Sequence, residues 1–155
     1  MRTIQGDLLN CEANHIAHVA NCFNTFGAGI AKQIREQYPE AYDADLETKK
    51  GDRNKLGTFS TAHIPDENKW IYNLYGQYGY GGGVVNLDYP ALEKSLWSLR
   101  DHLEGKQCND IILGFPTRIG CVLAGGDWNI VKPLVEKMFS TSNFETIWVE
   151  FSKNK

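Results

Sequence analysis

Most of the 15 glycines in this 155-residue chain fall in three clusters, at 27–29, 76–83 and 114–126, each at or just beyond a short apolar run. Glycine in such a place marks a backbone that turns tightly or passes close to a ligand. The runs read as strands: Arg2 to Gln5, Ile16 to Asn21, Leu56 to Ile64, Lys69 to Tyr75, Ile111 to Phe115 and Thr146 to Phe151. Helical patterns lie between them. Ile30, Ala31, Ile34 and Tyr38 recur at helical spacing, and Pro39 ends that helix or begins the next, which covers about Pro39 to Thr48. Asp88 can cap a helix over Tyr89 to Glu104, where Leu92, Leu96, Leu99 and Leu103 form one stripe before Gly105 stops it. Asp127 to Phe139 is a further helix with Pro133 inside it. Alternating strands and helices predict an α/β sandwich with a largely parallel sheet, and the length fits one domain.

A chain this long buries a core without disulfides or metals. Sixteen Lys and Arg against nineteen Asp and Glu give a net charge of −3 and a pI near 5.8. That balance argues against a generally basic nucleic-acid binder, though not against one basic groove. No apolar run is long enough to span a membrane, and Met1 to Asp7 lack the apolar stretch of a signal peptide, so the expected location is the cytoplasm. Cys11, Cys22, Cys108 and Cys121 have no CxxC spacing and are expected to be thiols, with no metal bound. The basic stretch Lys49 to Lys55 reads as a solvated connection, and His15, His63 and His102 as surface residues.

In a sheet of this class ligands bind beyond the carboxyl ends of strands. Gly27-Ala28-Gly29 follows the strand ending at Asn21 and opens a helix, whose free N–H groups and positive dipole end suit a phosphate or diphosphate. Close helix–strand packing would equally call for small residues there. The segment from Pro116 to Gly126 leads from another strand into the helix at Asp127, and two such loops can clamp opposite sides of one pyrophosphate. Neither has the GxGxxG or Walker spacing, which argues against dehydrogenases and NTPases.

Gly6-Asp7-Leu8-Leu9, then His18-Val19-Ala20-Asn21-Cys22 running into Gly27-Ala28-Gly29-Ile30-Ala31, and Ile119-Gly120-Cys121 through Gly126-Asp127-Trp128 together resemble a macro domain, in the expected order and over Thr3 to Val149. The resemblance is to the compact branch holding ADP-ribose 1″-phosphate phosphatases and the terminal ADP-ribose protein glycohydrolase, which also occurs in bacteria and bacteriophages. It implies a three-layer α/β/α fold with a mixed, largely parallel central sheet. The location would be the host cytoplasm if the chain is phage-encoded. It implies an ADP-ribose pocket without cofactor or metal, in a monomer whose partner is ADP-ribose, its 1″-phosphate or an ADP-ribosylated protein.

Residue by residue, Asp7 matches the acid that accepts from the adenine amino group and Leu8 its neighbour, while a turn role for Asp7 is the plain alternative. Phe151 stacks on adenine or is an ordinary edge aromatic. Ala20, Asn21 and Asn24 match the region reaching the distal ribose, Asn24 also fitting a simple turn residue. Gly27, Ala28, Gly29 and Ile30 match one diphosphate wall, with Pro116, Ile119, Gly120, Cys121, Val122, Leu123 and Ala124 on the other, Cys121 having no nucleophilic role. Candidate catalytic residues are Asn21, His18 and Asp127. His18 is a general acid or base, or a hydrogen-bonded core histidine; Asp127 is an acid near C1″, or a helix cap.

Two departures bear on activity. The glycohydrolase lysine is missing where this chain has Leu74-Tyr75-Gly76-Gln77, and Ala124 stands in place of its aspartate, so a covalent lysine mechanism is not expected. Val122 replaces a usual glycine, and its β-branched side chain is expected to restrict the diphosphate loop. The expected activity is hydrolysis of ADP-ribose 1″-phosphate, the alternatives being removal of ADP-ribose from a modified carboxylate and non-catalytic reading of ADP-ribosyl groups.

Overall fold

The structure, a computed structural model, describes residues 1–106 and 110–152, so Cys108 lies outside the described residues. Six strands and four α-helices follow in the order β1 (Arg2–Gly6), β2 (His15–Ala20), α1 (Gly29–Gln37), α2 (Pro39–Leu46), β3 (Phe59–Ile64), β4 (Lys69–Tyr75), α3 (Tyr89–Glu104), β5 (Ile112–Pro116), α4 (Trp128–Phe139) and β6 (Glu145–Phe151). The sheet runs β1-β6-β5-β2-β4-β3, with every pairing parallel except β3 against β4. β2 and β4 are buried almost throughout, as strands covered on both faces must be, which is why they read as apolar runs without alternation.

Helices α1 and α2 cover one face, packing Ile34, Tyr38 and Ala41 against Ile16, Ile71 and Tyr75. Helices α3 and α4 cover the other, where the leucine stripe 92, 96, 99 and 103 meets Leu74, Leu113, Phe115, Val131 and Val135. The result is a three-layer α/β/α sandwich. Asp88 caps α3 as its spacing predicts, its carboxylate accepting from the Ala91 N–H at 3.0 Å. Gly114 is needed within β5 because a Cβ there would stand 2.8 Å from that of Ala13.

The third strand starts later than its apolar pattern suggests. Asp52 caps a 3₁₀ turn over Arg53–Lys55, and Thr58 donates back to the Lys55 carbonyl at 2.9 Å, so pairing begins only at Phe59. Lys55 is not part of a solvated connection: it is buried, with Nζ donating to the Cys22 carbonyl at 3.2 Å and lying 4.8 Å from the centre of the Tyr75 ring. His15 is likewise no surface residue, being 1% exposed, stacked on Trp70 and hydrogen-bonded to the Tyr72 hydroxyl at 2.8 Å. His63 does stand exposed, stacked on the other side of Trp70.

The chain leaves β2 for α1 on one face and β5 for α4 on the other. β2 and β5 are neighbours, so their carboxyl ends flank the point where the connections diverge, and a crevice opens there.

Candidate functional site

A cleft of about 560 Å³ occupies this crevice, within the range of small-ligand sites. Ala20 and Asn21 form its floor at the end of β2. One wall is Gly27, Ala28, Gly29 and Ile30, and the facing wall is Pro116, Ile119, Gly120, Val122, Leu123 and Ala124. Ala28 is the N-cap of α1 and offers no side-chain cap, and the first turn holds no acid, so the leading N–H groups of the helix face the cleft without an internal anion. Gly29 adopts φ +58°, and a Cβ there would meet Leu123 Cδ1 at 2.9 Å, so the two walls touch at this point.

The second wall is held by its own turns. Cys121 N–H donates to the Arg118 carbonyl at 2.8 Å and Gly126 N–H to that of Gly120 at 2.9 Å. Arg118, Gly120 and Gly125 all take left-handed backbone, which only glycine adopts freely. The backbone N–H groups of Asn86 and Leu87 both donate to the Ala124 carbonyl, at 2.8 and 3.1 Å, and so sew a third segment to this wall. Val122 is outside the left-handed region and 69% exposed, so the loop takes its branched side chain without left-handed strain.

Several residues named from the sequence stand away from the cleft. His18 is wholly buried beneath it: its Nε2–H donates to Asn73 Oδ1 at 2.7 Å and its ring meets the Phe26 edge, while Nδ1 has no partner. Burial pushes its pKa down to about 4, so the ring is neutral. Of the two roles the sequence left open for His18, the structure matches the hydrogen-bonded core histidine, on the face that strand alternation gave it. Asp127 caps α4, accepting from the Asn129 N–H at 2.9 Å, and lines no part of the cleft. Asn24, at φ +60°, donates to the Asp45 carbonyl at 2.6 Å and ties the loop to the end of α2. Cys121 turns inward, and burial raises its thiol pKa, which keeps it protonated.

Asp7 and Phe151 lie outside the cleft walls, yet at the same carboxyl edge of the sheet, where Phe151 pairs with Gly6 across β1 and β6. The Asp7 carboxylate already accepts from the Leu9 N–H at 3.0 Å and the Asn10 amide at 2.6 Å. Leu8 is buried in the core. Asn21 does line the cleft, but its amide is committed to the turn that follows: Nδ2 donates to Thr25 O and Oγ1 at 3.2 and 2.7 Å, and Oδ1 accepts from the Phe23 N–H at 2.8 Å.

Lining residues that sequence reasoning missed include Gln77, Tyr80, Thr117 and Arg118. Gln77 and Tyr80 belong to the second glycine cluster, whose position beyond β4 was legible; that β4 adjoins β2 was not. Arg118 is the one charged side chain lining the cleft among the described residues, and its place amid glycines was its available signal. No aspartate, glutamate or histidine among the described residues lines the cleft.

No family model matches the sequence. An uncharacterized 17.5 kDa protein in the tk-vs intergenic region of Enterobacteria phage T4 is 31% identical over 156 residues, 97% of this chain and 96% of its own. An ADP-ribose 1″-phosphate phosphatase of Aspergillus oryzae is 39% identical over 44 residues, 28% of this chain and 22% of that protein. Among solved structures, the macrodomain of Mycobacterium tuberculosis DarG superposes with a TM-score of 0.79 at 18% identity, covering 96% of this chain and 95% of that one. Thermosipho africanus DarTG in complex with ADP-ribose gives 0.76 at 16% identity, covering 99% of this chain and 42% of that one. These structural likenesses are of fold.

Proposed function

The chain has the fold of the macrodomains and is related over nearly its whole length to the phage T4 protein, and from these premises we propose that it is a macro domain that binds ADP-ribose in the cleft between its two glycine-rich loops and hydrolyses the group carried on C1″ of the distal ribose. The observation that carries the reading is the uncapped start of α1 facing the 116–124 loop across a cleft in which, among the described residues, Arg118 is the one charged lining residue. Two negative phosphates fit a site of this kind: backbone N–H groups and a dipole end on one side, a guanidinium and further backbone on the other. Asp7 and Phe151 stand at the same sheet edge, and in this reading they receive the adenine.

With no aspartate, glutamate or histidine among the described residues lining the cleft, hydrolysis rests on orientation and on the substrate's own groups. For ADP-ribose 1″-phosphate, water attacks C1″ as the bond from C1″ to the phosphate oxygen breaks. The ester oxygen leaves with the bonding pair, which makes the departing phosphate a stronger base than the ester group it was, and it takes up the water proton. ADP-ribose and inorganic phosphate result. The partial likeness to an ADP-ribose 1″-phosphate phosphatase supports this substrate. That no described residue supplies an acid to the lining favours a second reading, a domain that holds ADP-ribosyl groups without turning them over. A turnover assay decides between them: phosphate released from ADP-ribose 1″-phosphate, in proportion to enzyme, supports the hydrolase, and tight ADP-ribose binding with no release supports the reader.

A further inference from the structure

Gln77 is a polar side chain of the cleft that the reading above leaves without a role. Tyr75 pairs with Ala20 across β4 and β2, and two residues beyond that pair Gln77 lies against Cys22, whose Sγ donates to its backbone carbonyl at 3.5 Å; Gln77 and Asn21 both line the cleft where the two strands end. It is only 9% exposed, and its backbone is fixed by a bridge to Leu87. Its Nε2 donates to the Gly79 carbonyl at 2.8 Å, which determines the way the amide faces and leaves the carbonyl oxygen as the open end. No described residue donates to that oxygen, and it is not among the sealed unpaired atoms, which are His18 Nδ1, Asn24 Oδ1, Asp45 Oδ2 and Thr146 Oγ1. A largely buried amide held by its nitrogen thus keeps an uncommitted acceptor on a residue that lines the cleft.

The other polar groups of the cleft are the first N–H groups of α1, the cation of Arg118 and the hydroxyls of Thr25, Thr117 and Tyr80, of which Thr25 Oγ1 already accepts from Asn21. Asn21 has both amide hydrogens committed to Thr25. Donors suit phosphate oxygens, whereas an acceptor suits a hydroxyl and has nothing to gain from a terminal phosphate without a proton to give. We propose that Gln77 Oε1 accepts a hydrogen bond from a hydroxyl of the ribose beyond the diphosphate, and that it is the residue by which the cleft prefers ADP-ribose to ADP. The proposal rests on the ADP-ribose reading and adds to it a specificity determinant. A site built to pair with a hydroxyl discriminates against a ligand lacking it because its own polar group is then stranded.

The test is calorimetric titration of the parent protein, Gln77→Met and Gln77→Glu with ADP-ribose and with ADP, folding being checked by circular dichroism. The readout is the ratio of the two affinities. In the parent it favours ADP-ribose; in Gln77→Met, affinity for ADP-ribose falls by about tenfold while that for ADP stays nearly constant, and the preference disappears. Gln77→Glu loses the bond to Gly79 but keeps an acceptor, so the preference survives even where the added charge weakens both ligands. If Gln77 only shapes the Gly79 turn, both variants lose the preference equally, and that result overturns the proposal, as does a parent-like ratio in Gln77→Met. Should the Met variant fail to fold, Gln77→Asn, which withdraws the acceptor while remaining an amide, carries the same expectation. A parent that binds neither ligand overturns the ADP-ribose reading itself, a distinct result.

Discussion

An imidazole sealed from water gives up its charge, and His18 and His15 both do so, with pKa values pushed to about 4 by burial. Their ordinary value is 6.5, so between pH 6.5 and 4 the unfolded chain takes up protons that the folded chain refuses. The stabilisation is complete above pH 6.5 and is lost progressively as pH falls toward 4. His18→Gln can keep a donor to Asn73 and does not titrate, so its denaturant midpoint should change less than the parent's between pH 7 and 4.5; an unchanged slope contradicts the assignment. The same variant should release phosphate at close to the parent rate, because His18 does not reach the cleft. At Val122 the exposed side chain and ordinary backbone lead to the reverse of the expectation from sequence. Val122→Gly adds freedom to the unbound loop without relieving strain, so ADP-ribose titration should show equal or weaker affinity, and tighter binding would restore valine as an obstruction.

At the scale of the element, the start of α1 couples stability and binding with opposite sign. Ala28→Asp supplies the cap the helix lacks, worth about 1 kcal/mol, and puts a carboxylate where the diphosphate belongs. The variant should unfold at higher denaturant and bind ADP-ribose at least about tenfold more weakly, a loss of some 1.4 kcal/mol. A gain in stability with unchanged affinity would move the diphosphate elsewhere. Element limits were legible where local chemistry is decisive: α3 has its Asp88 cap, leucine stripe and terminal Gly105, and β4 ends where its glycines begin. The start of β3 was not, because Asp52 diverts the preceding residues into a 3₁₀ turn. The two glycine loops announced the cleft walls, while Gln77 could be found only through the pairing of β4 with β2, a contact made across 55 residues of chain at His18 and Asn73.

For the whole molecule, the strand order and the divergence of α1 and α4 to opposite faces put every candidate contact on one edge of the sheet. A polar network beneath the cleft fixes that edge. His18 donates to Asn73, Asn73 to Ser60, and Tyr75 to Asp45 at 2.6 Å, with the hydroxyls of Ser60 and Tyr75 bonded at 2.8 Å. Lys55 and Asn24 then clamp the 21–25 loop from the same side. Whether the cleft between the loops takes ADP-ribose is read directly by isothermal titration of the parent protein with ADP-ribose, run beside Ala28→Asp. The parent should bind saturably at one site per chain, and the new carboxylate should weaken that binding sharply. No heat of binding at millimolar ADP-ribose, or equal binding by a folded Ala28→Asp variant, would contradict the ADP-ribose reading.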